Sequence, residues 1–348
     1  MLMRISCSIL LLTVFAATNA HHAVNARYNT AALIEVEGEV TEVLIRNPHS
    51  QLSVRRVGDN GAIENWTMAT TAVSNMRRWQ IDPSFVQIGD TVRVAGHPSL
   101  LEEHDLYFTN LLTAGGQEVL LERRATPIWT DETIEMSDSR RRSVGSTIAP
   151  ELGIFRIWST PDNIPMLIPR DIGQTTEGRA NLTPDALLAQ DAYVPERDNP
   201  LQNCVPKGMP LIMEAPYPFD MYREGSNIIW HNEEYDTRRT IYIDQMEPEE
   251  LEPSDLGYSI GAWEDEHTLV VSTTLMGWAH LDGQGIPLST AAEAIERFSV
   301  TEEGDRLDYV ITISDPVHLV EPLSFSKHWV WYPDAEVGEY NCTVEAEN

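Results

Sequence analysis

Ile34-Glu35-Val36-Glu37-Gly38-Glu39-Val40-Thr41-Glu42-Val43-Leu44-Ile45 decides the fold of the first third of the chain. Apolar residues recur at Ile34, Val36 and Val40, and the phase then slips by one residue to Val43 and Ile45. Alternation with period two marks a strand with one buried face, and a one-residue slip marks a bulge that lets a strand curl. Downstream, residues 52–57 and 63–68 alternate in the same way around the turn Gly58-Asp59-Asn60-Gly61. Residues 71–79 form a helical segment with Arg77 and Arg78 in its last turn, where cations complement the helix dipole. Two further strands are expected at 91–96 and 106–112. Three strands, a helix and two strands is the element order of a five-stranded OB-like barrel.

Upstream of that barrel, residues 1–20 carry Arg4 as their only charge, an apolar run over 5–18, and small residues at Ala17, Thr18 and Ala20. This reads as a secretory signal peptide cleaved after Ala20. The run is too short for a membrane span, and no later stretch reaches the ~20 apolar residues a span needs. A periplasmic or secreted protein with no membrane insertion is therefore expected. Once Cys7 leaves with the signal, Cys204 and Cys342 remain, and in an oxidising compartment they are expected to form a disulfide that ties the C-terminus back.

A length of 348 residues suggests two domains. The formal charge of -30 argues against phosphate backbones and anionic lipid as partners, and leaves a small molecule as the expected one. Residues 123–150 mix Arg123, Arg124, Arg140, Arg141 and Arg142 with acids and show no apolar period, so they read as a linker lying loosely on the surface. Beyond it, Thr183-Pro184 opens a helix running to about Tyr193. Seven or eight short strands then follow, at 227–232, 240–244, 258–264, 267–274, 296–300, 307–314 and 324–331 together with a first one at 154–158. The fold class is thus all-β with minor helices: an OB-like barrel over 21–122 and a larger antiparallel lipocalin-like barrel over 151–348, wide enough to hold one small ligand.

Two resemblances accompany this reading. The His21-His22 start and the Asn47-Pro48-His49 step make residues 21–122 resemble an exported bacterial family of unknown function. Most of 153–342 resembles another exported bacterial family of unassigned function. That likeness rests on Asp198-Asn199-Pro200, Pro216-Tyr217-Pro218-Phe219, Arg238-Arg239-Thr240-Ile241-Tyr242, Gly257-Tyr258-Ser259-Ile260-Gly261-Ala262-Trp263-Glu264, Glu296-Arg297-Phe298 and Glu339-Tyr340-Asn341-Cys342. The chain departs from that pattern at Ala262, where Arg is expected, and at Ser272, where Asp is expected. Neither resemblance implies a known chemistry.

Three candidate chemistries follow from the residues. A mature N-terminus at His21 would offer an amine and the imidazoles of His21 and His22, joined by His49 if the barrel brings it near, a nitrogen set suited to copper; the alternatives are zinc or an exposed terminus with His49 capping a turn. The Gly257-Tyr258-Ser259-Ile260-Gly261 string matches a nucleophile elbow, but a Pro-rich acidic loop precedes it and no helix follows, so Ser259 reads as part of a strand. Third, Glu233-Glu234-Tyr235-Asp236, followed by Arg238, Arg239, Tyr242 and Asp244, is expected on paired strands whose alternation points one set into the second barrel. There Glu234, Asp236, Arg238 and Tyr242 would do acid/base work of a lyase, isomerase or hydrolase kind. Glu233, Arg239, Asp244, Trp263, Glu296 and Arg297 would line the ligand cavity. A structural ion-pair network is the competing explanation of the same residues.

Overall fold

The computed structural model describes residues 27–342 except 59, 162, 163, 170, 247 and 249. The expected signal peptide, with His21 and His22, lies outside the described residues.

The first barrel is built from β1 (Ile34–Leu44), β2 (Ser50–Val57), β3 (Ile63–Thr70), β4 (Thr91–Pro98) and β5 (Asp105–Leu112), with α1 (Val73–Arg78) between β3 and β4. β1 pairs with both β2 and β4, and parallel pairing of β3 with β5 closes the ring. This is the OB-like arrangement, and the phase slip in β1 is a register shift between Val40 and Glu42. Val36, Val40, Leu52, Val54, Met68, Val94, Leu106 and Phe108 fill the interior, and Met76 of α1 joins them. Gly96 sits at a second register shift, where β4 meets β5 so closely that a Cβ would lie 2.3 Å from the carbonyl oxygen of Tyr107.

The sheet continues past five strands into β6 (Glu118–Leu120) and β7 (Thr133–Ile134), so the stretch expected to be a loose linker is anchored. The fully buried Glu118 carboxylate accepts from the amides of Ile128, Trp129 and Thr130 and from Asn110 Nδ2. Burial pushes its pKa up, but those hydrogen bonds outweigh burial and hold the group below the usual carboxylate range. Further along, α2 (Asp138–Arg142) buries Arg140, whose guanidinium lies 3.7 Å from the Tyr332 ring centre and 2.9 Å from Asp334. A guanidinium that stacks and pairs can be buried, which the charge pattern alone does not reveal.

The second barrel closes nine strands in the order β10-β11-β12-β13-β14-β15-β16-β8-β9. They are β8 (Ile157–Ser159), β9 (Phe219–Glu224), β10 (Asn227–Asn232), β11 (Thr237–Ile243), β12 (Tyr258–Trp263), β13 (Thr268–Thr274), β14 (Glu293–Val300), β15 (Arg306–Ser314) and β16 (Leu323–Trp331). Every pair is antiparallel except β11 with β12, because the long acidic connection after Ile243 returns the chain to the start of a parallel neighbour. Between β8 and β9 lie α3 (Thr176–Ala180), α4 (Pro184–Ala192) and α5 (Pro195–Asp198). The expected Thr183 cap of α4 is formed, its hydroxyl accepting from the Ala186 amide.

The core of this barrel is rich in large aromatic residues. Trp158, Trp230, Trp329, Phe219, Phe298 and Tyr309 are all buried, with ring centres of Phe219 and Trp329 at 4.8 Å and of Tyr309 and Trp329 at 5.0 Å. Each such ring contributes about 2–3 kcal/mol by leaving water. Alternation on the strands sends these rings to one buried face, where they pack against one another.

Candidate functional site

A cavity of about 510 Å³ lies between the barrels. The first barrel contributes Pro48, His49, Thr71, Ala72, Asn75 and Tyr107, and the second contributes Lys207, Leu211, Glu214, Tyr217, Glu234, Tyr235, Asp282, Gln284 and Tyr340 among others. Asn47 holds the Asn-Pro-His step in place. Its buried side chain accepts from the Ser74 amide at the start of α1, and this sets His49 edge-on to Tyr107 at 6.4 Å between ring centres.

Glu233 to Asp236 are not on paired strands as alternation suggested. β10 ends at Asn232, whose side chain accepts from the Glu234 amide, and residues 234–236 form a short 3-10 turn. Tyr235 and Asp236 take left-handed backbone angles, with φ of 58° and 51°, a conformation that costs non-glycine residues about 1–2 kcal/mol each. The turn buries Glu234 in the cavity wall, where it pairs with Lys207 at 2.9 Å. Glu233 points the other way, accepting from Arg77 at 3.4 Å and from the Gly338 amide at 3.0 Å.

The same turn lays Tyr235 against Tyr340, 4.7 Å between ring centres, and Tyr340 lies 5.3 Å from Tyr217. All these phenols stay protonated. Burial, and then the Glu234 charge, push Tyr235 up to about 12; burial and Glu122 do the same for Tyr107; Tyr217 and Tyr340 are raised further.

Asp282 is the functional candidate that sequence reasoning missed. In Leu281-Asp282-Gly283-Gln284-Gly285, the Asp282 Oδ1 accepts from the amides of Gln284 and Ile286, both at 3.0 Å. Gly285, at φ of 90°, lets the turn pass beneath Tyr193, whose Cγ would be 2.3 Å from any added Cβ. The other oxygen, Oδ2, is buried with no partner among the described residues, and the residue is only 3 % exposed. Burial pushes its pKa up to about 6, against the pull of the turn's own amides. The signal was present in the sequence as an Asp-Gly step followed by a second glycine, a turn in which Asp hydrogen-bonds the backbone two residues on.

The remaining expected site residues are dispersed. Arg239 and Glu296 do reach the barrel interior, but they spend themselves on each other: Arg239 Nη1 donates to Glu296 Oε1 at 3.0 Å, and Tyr309, Thr273 and Ser259 complete the network. Ser259 lies buried on β12 with its hydroxyl bound to Arg239 and Thr273, so no elbow exposes it. Asp236 is exposed and meets His231 at 2.5 Å, while Arg238 donates outward to the Tyr222 hydroxyl. Tyr242 stacks on Tyr258 at 4.7 Å, Trp263 packs against Phe155, Arg297 pairs with Glu264 on the surface, and Asp244 follows β11 at the barrel's edge. None of these six lines the cavity. Of the expected copper set only His49 falls among the described residues, and these contain no group of three or more His, Cys, Asp or Glu positioned to hold a metal.

The C-terminal segment straps the two barrels across this cavity. Asp334 binds Arg140, the Glu339 carbonyl accepts from Arg77, Asn47 forms a parallel bridge with Cys342, and Cys342 is joined to Cys204 in the expected disulfide. Tyr340 is thereby held as a wall of the cavity. Chemically, the site offers one poised carboxyl, a neutralised Glu234–Lys207 pair and a lining of neutral phenols. No helix among the described residues is long and apolar enough to cross a membrane. No curated protein matches the chain. Residues 10–104, which include β1 to β4 and the Asn47-Pro48-His49 step, match the model of a family of unknown function (DUF6152), so the first barrel is similar to an uncharacterised family, as its resemblance implied.

Proposed function

We propose that this two-barrel protein binds a small, partly apolar molecule in the cavity between its barrels rather than inside the second one. A volume of about 510 Å³ falls within the range of small-molecule sites, which combine apolar walls with a few fixed polar groups. The observation that carries the reading is that lining, in which the phenols of Tyr107, Tyr217, Tyr235 and Tyr340 and the Glu234–Lys207 pair stand around one space walled by both barrels. A carboxyl with a pKa near 6 also favours a second reading, proton transfer to or from the bound molecule, with Asp282 and Glu234 in place of the carboxylates expected within the barrel. The Cys204–Cys342 disulfide supports an exported setting, in keeping with signal cleavage after Ala20.

Native mass spectrometry of protein exported by its own host tests the binding proposal. The wild type is expected to carry an adduct that denaturation releases, and Gln284→Trp, which fills the cavity from a part-exposed wall position, is expected to lose it. An adduct retained in full by Gln284→Trp, or none on either protein, overturns the proposal.

A further inference from the structure

We infer that the inter-barrel cavity takes a small carbonyl compound, an aldehyde or ketone with an apolar body, and that Lys207 captures it as an imine with Glu234 as the proton carrier. This rests on the binding proposal above and adds the chemical class of the ligand and the group that holds it.

The argument starts from where the lysines are. Of the 24 Lys and Arg residues only two are lysines, Lys207 and Lys327. Elsewhere among the described residues, buried cations are arginines: Arg239 pairs with Glu296, Arg140 lies on the Tyr332 ring, and Arg156 donates to the carbonyls of Ala149 and Gly304. A guanidinium suits such structural work because it forks onto its partners and keeps its charge, whereas an amine can shed its proton and attack. Both lysines nevertheless stand at the cavity wall. Lys207 lines the cavity, with its Nζ 2.9 and 3.1 Å from the two carboxylate oxygens of Glu234. Lys327, on β16, donates to the Met213 carbonyl at 3.3 Å, beside the lining residue Glu214. Burial pushes Lys327 down to about 7 against the pull of Glu214, with Lys207 and Arg78 adding to the shift, so this part of the wall accommodates a neutral amine near neutral pH.

Lys207 is also held in place. Gly208 packs so closely that a Cβ would lie 2.4 Å from the Asp255 carbonyl oxygen, the Met209 amide donates to that same oxygen, and the Cys204–Cys342 disulfide fixes the chain just upstream. The Lys207 side chain is 16 % exposed, and Glu234 is anchored by the Asn232 side chain, which accepts from its amide. Amine and carboxylate thus form a fixed pair, the arrangement in which an adjacent base activates a nucleophile. In the step, the Lys207 ammonium passes a proton to Glu234, and the freed lone pair forms a bond to the carbonyl carbon as the π electrons move to oxygen. The nitrogen hands a second proton to that oxygen, giving a carbinolamine. Glu234 then returns its proton to the hydroxyl, water leaves, and a protonated imine remains beside the Glu234 carboxylate. Charge is conserved, and neither oxidant nor reductant is consumed.

Reductive trapping tests the inference. The full exported chain is incubated at pH 7.5 with benzaldehyde and sodium cyanoborohydride, alongside Nα-acetyl-lysine amide as a reference amine, and the adduct is located by peptide mass spectrometry. Lys207 is expected to be alkylated at least tenfold faster than the reference amine, a comparison that needs no variant to fold. Glu234→Gln should slow the labelling at least tenfold, and Gln284→Trp, by filling the cavity, should slow it likewise. Labelling of Lys207 no faster than the reference, labelling spread over the α-amine and Lys327, or labelling undiminished in Gln284→Trp overturns the inference. If Lys207 stays unreactive while the native adduct of the wild type still disappears in Gln284→Trp, the imine fails and the cavity reading stands. If neither label nor native adduct is seen, both fail.

Discussion

Asn47, just past β1 of the first barrel, forms a parallel bridge with Cys342, whose sulfur is bonded to Cys204 of the second. One short segment therefore closes a loop of sequence separation 138 and fastens the two barrels on either side of the cavity. Tyr340 of this strap lines the cavity that lies between the two separately packed cores.

Replacing both cysteines by serine is expected to cost about 4–5 kcal/mol in the chain-entropy account of so long a loop. Guanidinium unfolding measures it. The strap should also become cleavable by protease between Asp334 and Cys342. A loss below about 1 kcal/mol with an intact strap would show that packing alone holds the barrels together.

The Arg239–Glu296 pair, with both side chains essentially unexposed, is expected to be unforgiving of single changes. Arg239→Met or Glu296→Gln should each destabilise by about 3–5 kcal/mol, because the surviving group loses its buried partner. The double variant Arg239→Met/Glu296→Leu should recover much of that loss. Urea unfolding of the three variants reads the pattern, and near-additive losses would contradict it.

Asp282 makes a signed prediction about pH. Its folded pKa of about 6 lies above the value of about 3.9 of an unfolded aspartate, so the folded state binds the proton more tightly. Its contribution to stability is full below about pH 4 and is lost as pH rises through 6, a change of about 3 kcal/mol. Asp282→Asn keeps the Oδ1 that accepts from Gln284 and Ile286 but cannot ionise. The stability of the variant relative to wild type should therefore grow between pH 4 and pH 7 as thermal unfolding is followed. A difference that stays flat with pH would place Asp282 in water.

Glu118 anchors the connection between barrels through four donors. Glu118→Gln turns one acceptor oxygen into a donor facing amides, and should cost about 1–3 kcal/mol. Hydrogen exchange at the amides of Ile128, Trp129 and Thr130 should accelerate, while the amides of β1 and β2 keep their protection. Unchanged exchange at those three amides would contradict the assigned role.

Much of the architecture was legible because periodicity reports burial. The slip at Val40 gave the bulge, the order of the first five strands gave the closed OB-like ring, and Thr183-Pro184 gave the start of α4. The candidate site was legible only in pieces. Alternation assigned strand to Glu233-Glu234-Tyr235-Asp236, yet Asn232 captures the Glu234 amide and two left-handed residues turn the chain, an arrangement no period reveals. Arg239 and Glu296 lie buried, but whether inward-facing charges meet a ligand or each other depends on strand register, here β11 against β12 through β14. Asp282 was passed over because a turn motif says where a chain bends and nothing about what packs over the bend. The anchoring of Arg140 was hidden because charge counts as solvated until a Tyr332 ring is found above it.

The most direct test of a site between the barrels is a crystal soaked with a fragment library of small amines, alcohols and acids. Ordered fragments are expected to collect in the space bounded by His49, Glu234, Tyr340 and Asp282, with the aromatic interior of the second barrel undisturbed. Fragments that instead part the Arg239–Glu296 pair and enter that barrel, or scatter over the surface and leave the cavity to water, would contradict it.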